Sequence, residues 1–263
     1  MIEGFLKILG FQNKDIKLSK LQNYQILVIS LERSLERRKK IINEFSKYDL
    51  SWSFLNAIDG RKLKFPVVGY SAKKNKRLVG YELSNGEIAC FLSHKMAWKK
   101  CVSENKPTII MEDDIELSDE FIKVIDTLIL NQLEWDLVRL QGILQLPYKF
   151  VKKIGNYNFV EHIGDPLGSM AYIINPNAGV QLLENSKEIY VVSDWYLKLE
   201  KKHKIKMLEL NPYCLKIRNI DSEIGERGGN IEDLNIKTYI KSKFRGLNQR
   251  LDRILSKNPW FPN

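Results

Sequence analysis

The stretch Thr108-Ile109-Ile110-Met111-Glu112-Asp113-Asp114-Ile115 sets an apolar run directly against three consecutive carboxylates. Four uncharged residues, two of them β-branched isoleucines, predict a short buried strand. Burying the carboxylates unpaired costs roughly several kcal/mol each, so they must meet water, a basic partner or a cation. In an open α/β sheet, the C-terminal end of a strand is where ligands bind. Two readings follow: a solvated acidic turn capping the next helix, or a ligand site at the sheet edge.

The surrounding periodicity supplies the sheet. Tyr24 to Leu31 is a buried-type strand, Ser34 is placed to cap a helix from Leu35 to about Tyr48, and Trp52 to Leu55 is a second strand. Strand, helix and strand at this spacing make a βαβ unit, which implies a parallel sheet. Ser71 to Leu78 reads as a basic loop. Ser84-Asn85-Gly86-Glu87 opens a helix to about Glu104, with the spacing of a capping box. Ser118 can cap a helix to about Asn131, and Trp135 to Leu140 is a further strand. Residues 141–167 read as irregular, broken by Pro147, Gly155, Gly164 and Pro166. Gly168 to Ile174 is a late strand, Pro176 begins a helix, and Asp194 stands at the start of another, Trp195 to Lys202. The expected fold is α/β with a mainly parallel central sheet. Residues 1–22 form an extension, 23–225 one domain and 226–263 a basic tail.

Charge narrows the partners. The formal net charge of +10 gathers in clusters at Arg33 to Lys40, at Lys73 to Arg77 and between Lys237 and Lys257. Such surfaces attract phosphate, in nucleotide sugars, nucleic acid or anionic lipid. The three cysteines, Cys90, Cys101 and Cys214, are odd in number and lack metal-finger spacing, so reduced buried thiols are expected. No secretory signal and no membrane-spanning apolar run is visible, so the expected location is cytoplasmic.

Several segments, in order, resemble glycosyltransferase family 25, the lipooligosaccharide-type galactosyltransferases related to collagen galactosyltransferases. They are Ile29 to Ser34 with Arg37-Arg38, Asn56-Ala57-Ile58-Asp59-Gly60, and Leu83 to Cys90 with Leu92-Ser93-His94. Ile109 to Asp114, Gly168 to Tyr172 and Asp194 complete the series. The resemblance implies a GT-A-type, Rossmann-like fold and a nucleotide-sugar donor, with UDP-galactose expected. It also implies a lipooligosaccharide- or lipopolysaccharide-type glycan acceptor and inversion at the anomeric carbon. One position departs from the family pattern, since Ser30 stands where asparagine is often found.

Sugar transfer from a nucleoside diphosphate builds negative charge on the departing diphosphate, which a hard divalent cation, Mg²⁺ or Mn²⁺, stabilises through oxygen ligands. Glu112 and Asp114 form an acidic-x-acidic pair that points to one side of an extended segment. Asp114 is the first choice as metal ligand and Glu112 the second, with Asp113 facing away to brace the loop. A turn at this point would overturn the alternation. Ser30, Leu31, Arg33 and Arg37 follow the first strand towards the donor, and His94, Glu112, Asp113, Gly168 and Ser169 join them as donor-site candidates. Arg37 and Arg38 read equally as a solvated helix face, and His94 as a core hydrogen-bonder. A base must take the acceptor hydroxyl proton, and Asp194 is the first candidate, Asp165 the second; the alternative for Asp194 is a helix cap.

Ile240, Phe244, Leu247, Leu251 and Ile254 recur at helical steps among lysines and arginines, ahead of Trp260 and Phe261. That pattern is a basic amphipathic helix, which suits an anionic membrane surface through residues 237–261, the enzyme itself or another subunit. A peripheral place on the inner face of the cytoplasmic membrane follows if it meets lipid. The rival to a metal-dependent transferase is a non-catalytic basic module on a degenerate transferase fold, binding membrane or polyanion. A polyanion binder gains nothing from carboxylates in its cleft, and a nucleic-acid partner is not expected.

Overall fold

The computed structural model describes residues 23–142, 147–162 and 168–218. Strand β1 (Gln25–Ser30) runs through helix α1 (Leu35–Phe45) to a parallel strand β2 (Ser53–Asn56), as the βαβ spacing predicts. Strand β3 (Thr108–Glu112) lies on the other flank of β1, again parallel to it. The remaining strands are β4 (Ile115–Leu117), β5 (Leu137–Arg139), β6 (Tyr148–Ile154), β7 (Tyr157–His162), β8 (Ala171–Ile174), β9 (Met207–Asn211) and β10 (Leu215–Ile217). Eight of them form one sheet in the order β2-β1-β3-β8-β5-β9-β7-β6, while β4 and β10 pair separately. In that sheet β7 and β8 run against the other six. The sheet is therefore mixed, with a majority of strands sharing one direction.

The other helices are α2 (Ala72–Val79), α3 (Asn85–Glu104), α4 (Phe121–Leu130), α5 (Pro176–Asn185), α6 (Ser193–Leu197) and α7 (Glu200–His203). Alternation along the central strands divides the core in two. Ile26, Val28, Ile109 and Met111 pack under Ile41 and Phe45 of α1 and Phe121 and Ile125 of α4. Leu27, Ile29, Ile110 and Tyr172 face the opposite layer, Phe91 and Trp98 of α3 and Leu182 of α5. Each fully buried side chain of this size contributes roughly 1.5–3 kcal/mol. Helix α3 carries the expected capping box: Glu87 N–H donates to Ser84 Oγ (3.2 Å) and Ser84 N–H to Glu87 Oε2 (2.9 Å).

Several expectations need correction. Residues 72–79 are helical, because alanine, lysine, arginine and leucine favour a helix; Asn75 anchors the helix by donating to Tyr190 O (2.9 Å), and Gly80 ends it at φ 93°. Part of 141–167 is a hairpin of β6 and β7 that turns at Gly155, φ 56°, so that glycine is a turn residue between strands. Ser118 does not cap α4; its hydroxyl donates to Cys214 O (2.7 Å), tying β4 to the approach of β10. Ser34 occupies the N-cap position of α1 without a side-chain capping bond. The single helix expected over Trp195 to Lys202 is two short ones, the second beginning on the Leu199 carbonyl, which takes the N–H groups of Lys202 and His203. The extension 1–22, the tail 226–263 and the amphipathic pattern of 237–261 lie outside the described residues. Among the described residues, no helix is long and apolar enough to cross a membrane.

Candidate active site

The chain runs from β1 to β2 on one side, then crosses back to place β3 on the other side of β1. Connections leaving in opposite directions open a crevice at the C-terminal ends of β1 and β3. A cleft of about 320 Å³ stands there, lined by Ser30, Leu31, Ser34 and Arg37 on one wall and Glu112, Asp113 and Asp114 on another. The turn after β2 (Ala57 to Arg61) and the start of α3 (Ser84, Asn85, Gly86, with Cys90) close it.

Strand β3 ends at Glu112, and Asp113-Asp114 form a turn into β4. The alternation of an extended segment therefore stops at Glu112, and it does not fix where the last two carboxylates point. Asp113 is buried and fully engaged: Ser30 Oγ donates to Oδ2 at 2.6 Å and Arg37 Nη1 to Oδ1 at 2.6 Å. Asp114 differs. Its Oδ1 is buried with no hydrogen-bond partner among the described residues. Burial, then the charges of Glu112 and Asp113, push its carboxyl up to about 7 against the pull of Arg37. A buried oxygen without a donor, beside two more carboxylates, is a place that a hard cation suits. On that ground Asp114 and Glu112 fit a divalent metal.

Glu112 is held from behind. Its Oε1 lies 3.4 Å from His94 Nε2 and 3.3 Å from Ser169 Oγ. Burial works to raise its carboxyl, but the His94 bond and charge, with Ser169 and Arg37, carry it below the ordinary range. His94 is fully buried on α3, its Nδ1 2.8 Å from the Tyr172 hydroxyl, which also accepts from Trp98 Nε1 at 2.8 Å. Strand β8, inserted antiparallel beside β3, brings Ser169 here, and Glu112 N–H donates to Met170 O (2.7 Å).

Gly168 and Asp194 meet each other. Gly168 N–H donates to Asp194 Oδ2 (3.2 Å) and Trp195 N–H to Oδ1 (2.7 Å). Gly168 has φ 86°, a conformation that favours glycine. Asp194 lies inside the first turn of α6, whose N-cap is Val192, so it is not the capping residue, and it is not among the residues lining the cleft. Arg33 lies at the rim, its Nε 3.0 Å from Asp59 Oδ2. Arg38 reaches back to Ser30 O, Leu31 O and Asn56 Oδ1 and stacks over Phe54, clamping the ends of β1 and β2 together. Asp165 lies outside the described residues.

The wall formed by Asp59, Gly60 and Arg61 and by Asn85 and Gly86 was not among the candidates. Arg61, with Arg33, holds the Asp59 carboxyl well below the usual range. A Cβ at Gly60 would stand 2.7 Å from the Asn85 backbone, so only glycine lets this turn close against α3. The signal was present as Asp59-Gly60, three residues after the end of an edge strand whose parallel neighbour β1 ends in the same crevice.

The family described as glycosyltransferase family 25 (LPS biosynthesis protein) matches residues 23–197. The lipooligosaccharide biosynthesis protein lic2B of Haemophilus influenzae is 32% identical over 164 residues, 59% of this chain and 60% of that protein. Human procollagen galactosyltransferase 2 is 29% identical over 147 residues, 50% of this chain and 23% of that protein. The mouse inactive glycosyltransferase 25 family member 3 is 30% identical over 138 residues, 47% of this chain and 23% of that protein. The chain thus spans less than two thirds of each of these relatives. The matched residues include every one that lines the cleft, and the chain belongs to glycosyltransferase family 25.

Proposed function

We propose that this chain is a GT-A-type hexosyltransferase that moves galactose from UDP-galactose onto a lipooligosaccharide- or lipopolysaccharide-type glycan with inversion. The observation that carries the reading is Asp114 Oδ1, buried and without a donor beside Glu112 in a cleft that lies wholly within the family match. The names of the Haemophilus and human relatives, a lipooligosaccharide biosynthesis protein and a galactosyltransferase, support the choice of sugar and acceptor.

Asp114 and Glu112 would hold a divalent cation, Mn²⁺ or Mg²⁺. That cation, when bound, supplies positive charge to the departing diphosphate. Ser30 and Arg37 fix Asp113, and so the turn that presents Asp114. Ser30, Leu31 and Arg37 with the start of α3 receive the nucleotide, and Arg33 guards the rim beside Asp59. His94 and Ser169 orient Glu112, while Gly168 keeps the chain close to the sugar. Transfer forms a bond from the acceptor oxygen to the anomeric carbon and breaks the bond to the diphosphate, and UDP leaves. A carboxylate removes the hydroxyl proton. Asp194 takes that role in this reading, since each of its oxygens accepts one N–H and keeps a second lone pair; Asp165 is the reserve. The basic tail brings the enzyme to an anionic membrane surface that carries the acceptor.

The mouse relative named inactive supports a second reading, a non-catalytic basic binding module on a transferase fold. Donor hydrolysis separates the two. Purified protein is given UDP-galactose and other UDP-sugars with Mn²⁺, with and without chelator. Chelator-sensitive release of UDP, fastest from UDP-galactose, supports the transferase. No release from any nucleotide sugar supports the module.

A further inference from the structure

A chemically different set of donors stands next to the oxygen pair. Cys90 Sγ, a His94 ring nitrogen and a Glu112 carboxylate oxygen lie within 4.8 Å of one another. Cys90 and His94 are one helical turn apart on α3, so both project from the same face towards the end of β3. Cys90 and Glu112 also line the cleft, which gives an ion a route of entry.

We propose that Cys90, His94 and Glu112 form a second cation site, selective for Zn²⁺-class ions, whose occupation withdraws Glu112 from the hard-cation pair it makes with Asp114. Thiolate, imidazole and one carboxylate suit zinc, whereas Mn²⁺ and Mg²⁺ prefer oxygen ligands. Zinc bonds of about 2.0–2.3 Å set tetrahedral ligand atoms roughly 3.5 Å apart. The present spread therefore closes by about 1 Å, within reach of small torsional changes in Cys90 and Glu112, whose side chains border open cleft.

The imidazole is already arranged for ligation. His94 Nδ1 is 2.8 Å from the Tyr172 hydroxyl, the two rings stack at 5.7 Å, and Trp98 Nε1 holds that hydroxyl from the other side at 2.8 Å. A partner on the non-ligating nitrogen fixes ring orientation in metal-binding histidines. In the metal-free protein the Glu112 carboxylate accepts from Nε2–H, and the phenol, which can donate or accept, lets the ring carry its proton on Nδ1 instead once Nε2 ligates the ion. Ser193 Oγ, 3.6 Å from Cys90 Sγ and 3.0 Å from Ser169 Oγ, completes the polar surround. Coordination replaces the thiol proton, which leaves to solvent, and the fourth position opens on the cleft for water. The consequence for transfer rests on the function proposed above; the binding of the ion does not.

Co²⁺ is the probe, added as CoCl₂ to the full chain under reducing conditions. The expected spectrum has a strong near-ultraviolet thiolate-to-cobalt band with the visible bands of a four-coordinate ion, and one equivalent of Zn²⁺ removes both. Cys90→Ser, confirmed folded by circular dichroism, loses the near-ultraviolet band, whereas Asp114→Asn keeps it. Tyr172→Phe weakens Co²⁺ affinity about tenfold. A wild-type spectrum with no thiolate band overturns the site, and so does an equal band in Cys90→Ser, which would assign it to Cys101 or Cys214. In a separate limb, Zn²⁺ lowers Mn²⁺-dependent UDP binding in the wild type and not in Cys90→Ser; equal inhibition in both overturns the coupling. If UDP does not bind at all, the transferase reading fails while the cobalt spectrum still decides the site.

Discussion

Arg37 Nη1 stands 2.6 Å from Asp113 Oδ1, joining the first turn of α1 to the turn that ends β3. The pair is largely buried, with side-chain exposures of 15% and 8%, and Ser30 takes the other oxygen of Asp113. It sets the position of the next residue, Asp114, without occupying Asp114's own oxygens. Removing one partner of such a pair leaves an uncompensated charge in a poorly solvated place. Arg37→Ala is expected to cost about 3 kcal/mol in urea denaturation, and Ser30→Ala about 1 kcal/mol. Equal, negligible losses would mean that Asp113 is solvated instead.

Asp114 holds its carboxylate at a cost to stability. In the metal-free protein its carboxylate is crowded by Glu112 and Asp113. Asp114→Asn is therefore expected to stabilise the chelator-treated protein by about 1 kcal/mol at pH 8. Mn²⁺ should raise the melting temperature of the wild type and leave the variant unchanged. A variant that still gains from Mn²⁺ would remove Asp114 from the cation site.

Gly60→Ala tests the wall that closes the cleft. Its Cβ meets the Asn85 backbone at 2.7 Å, so the turn or the start of α3 must move. The expected loss is about 2 kcal/mol in stability, with weaker nucleotide binding measured by calorimetry. Unchanged nucleotide affinity would separate this wall from the donor.

For the proposed base, Asp194→Asn is expected to leave donor binding intact and to slow transfer by about 100-fold or more. The amide keeps one acceptor oxygen for Trp195 or Gly168, so the fold around α6 survives. Transfer at the wild-type rate would move the proton to Asp165 or another group.

His203 gives the pH dependence of the same region. It is buried, its Nε2 3.1 Å from Leu197 O and its Nδ1 accepting from Ile205 N–H at 3.2 Å. That arrangement requires the neutral tautomer, and burial depresses the group below its ordinary value. The unfolded chain therefore binds the extra proton first, and stability is full above about pH 6.5 and falls as pH drops below it. Chemical denaturation at pH 7.5 and 5.5 should show the loss, and His203→Gln should reduce it. An identical pH dependence in the variant would contradict the assignment.

The parts of this molecule set by local pattern were legible in the chain. Apolar runs gave β1 and β3, Ser84 and Glu87 marked the start of α3, and the carboxylates of Glu112 to Asp114 marked the crevice. What escaped depended on partners distant in sequence. The basic run of α2 reads as a loop until Asn75 meets Tyr190, and the sequence leaves Asp194 between base and cap, with no sign of Gly168, 26 residues away, whose N–H it accepts. Ser118 likewise has a capping residue's chemistry, but Cys214, 96 residues on, takes its hydroxyl. The hairpin of β6 and β7 is a different case: its alternation and Gly155 are local, but Pro147, Gly164 and Pro166 around it carry the stronger signal for irregular chain.

In the proposed mechanism a hard cation on Asp114 and Glu112 completes the donor site. Titration calorimetry of UDP into the full chain, with Mn²⁺ and then with excess chelator, tests it most directly. Binding at one UDP per chain that disappears with chelator, and that Asp114→Asn lacks while remaining folded, is the predicted result. Equal UDP affinity with and without Mn²⁺, or no binding in either condition, would contradict it.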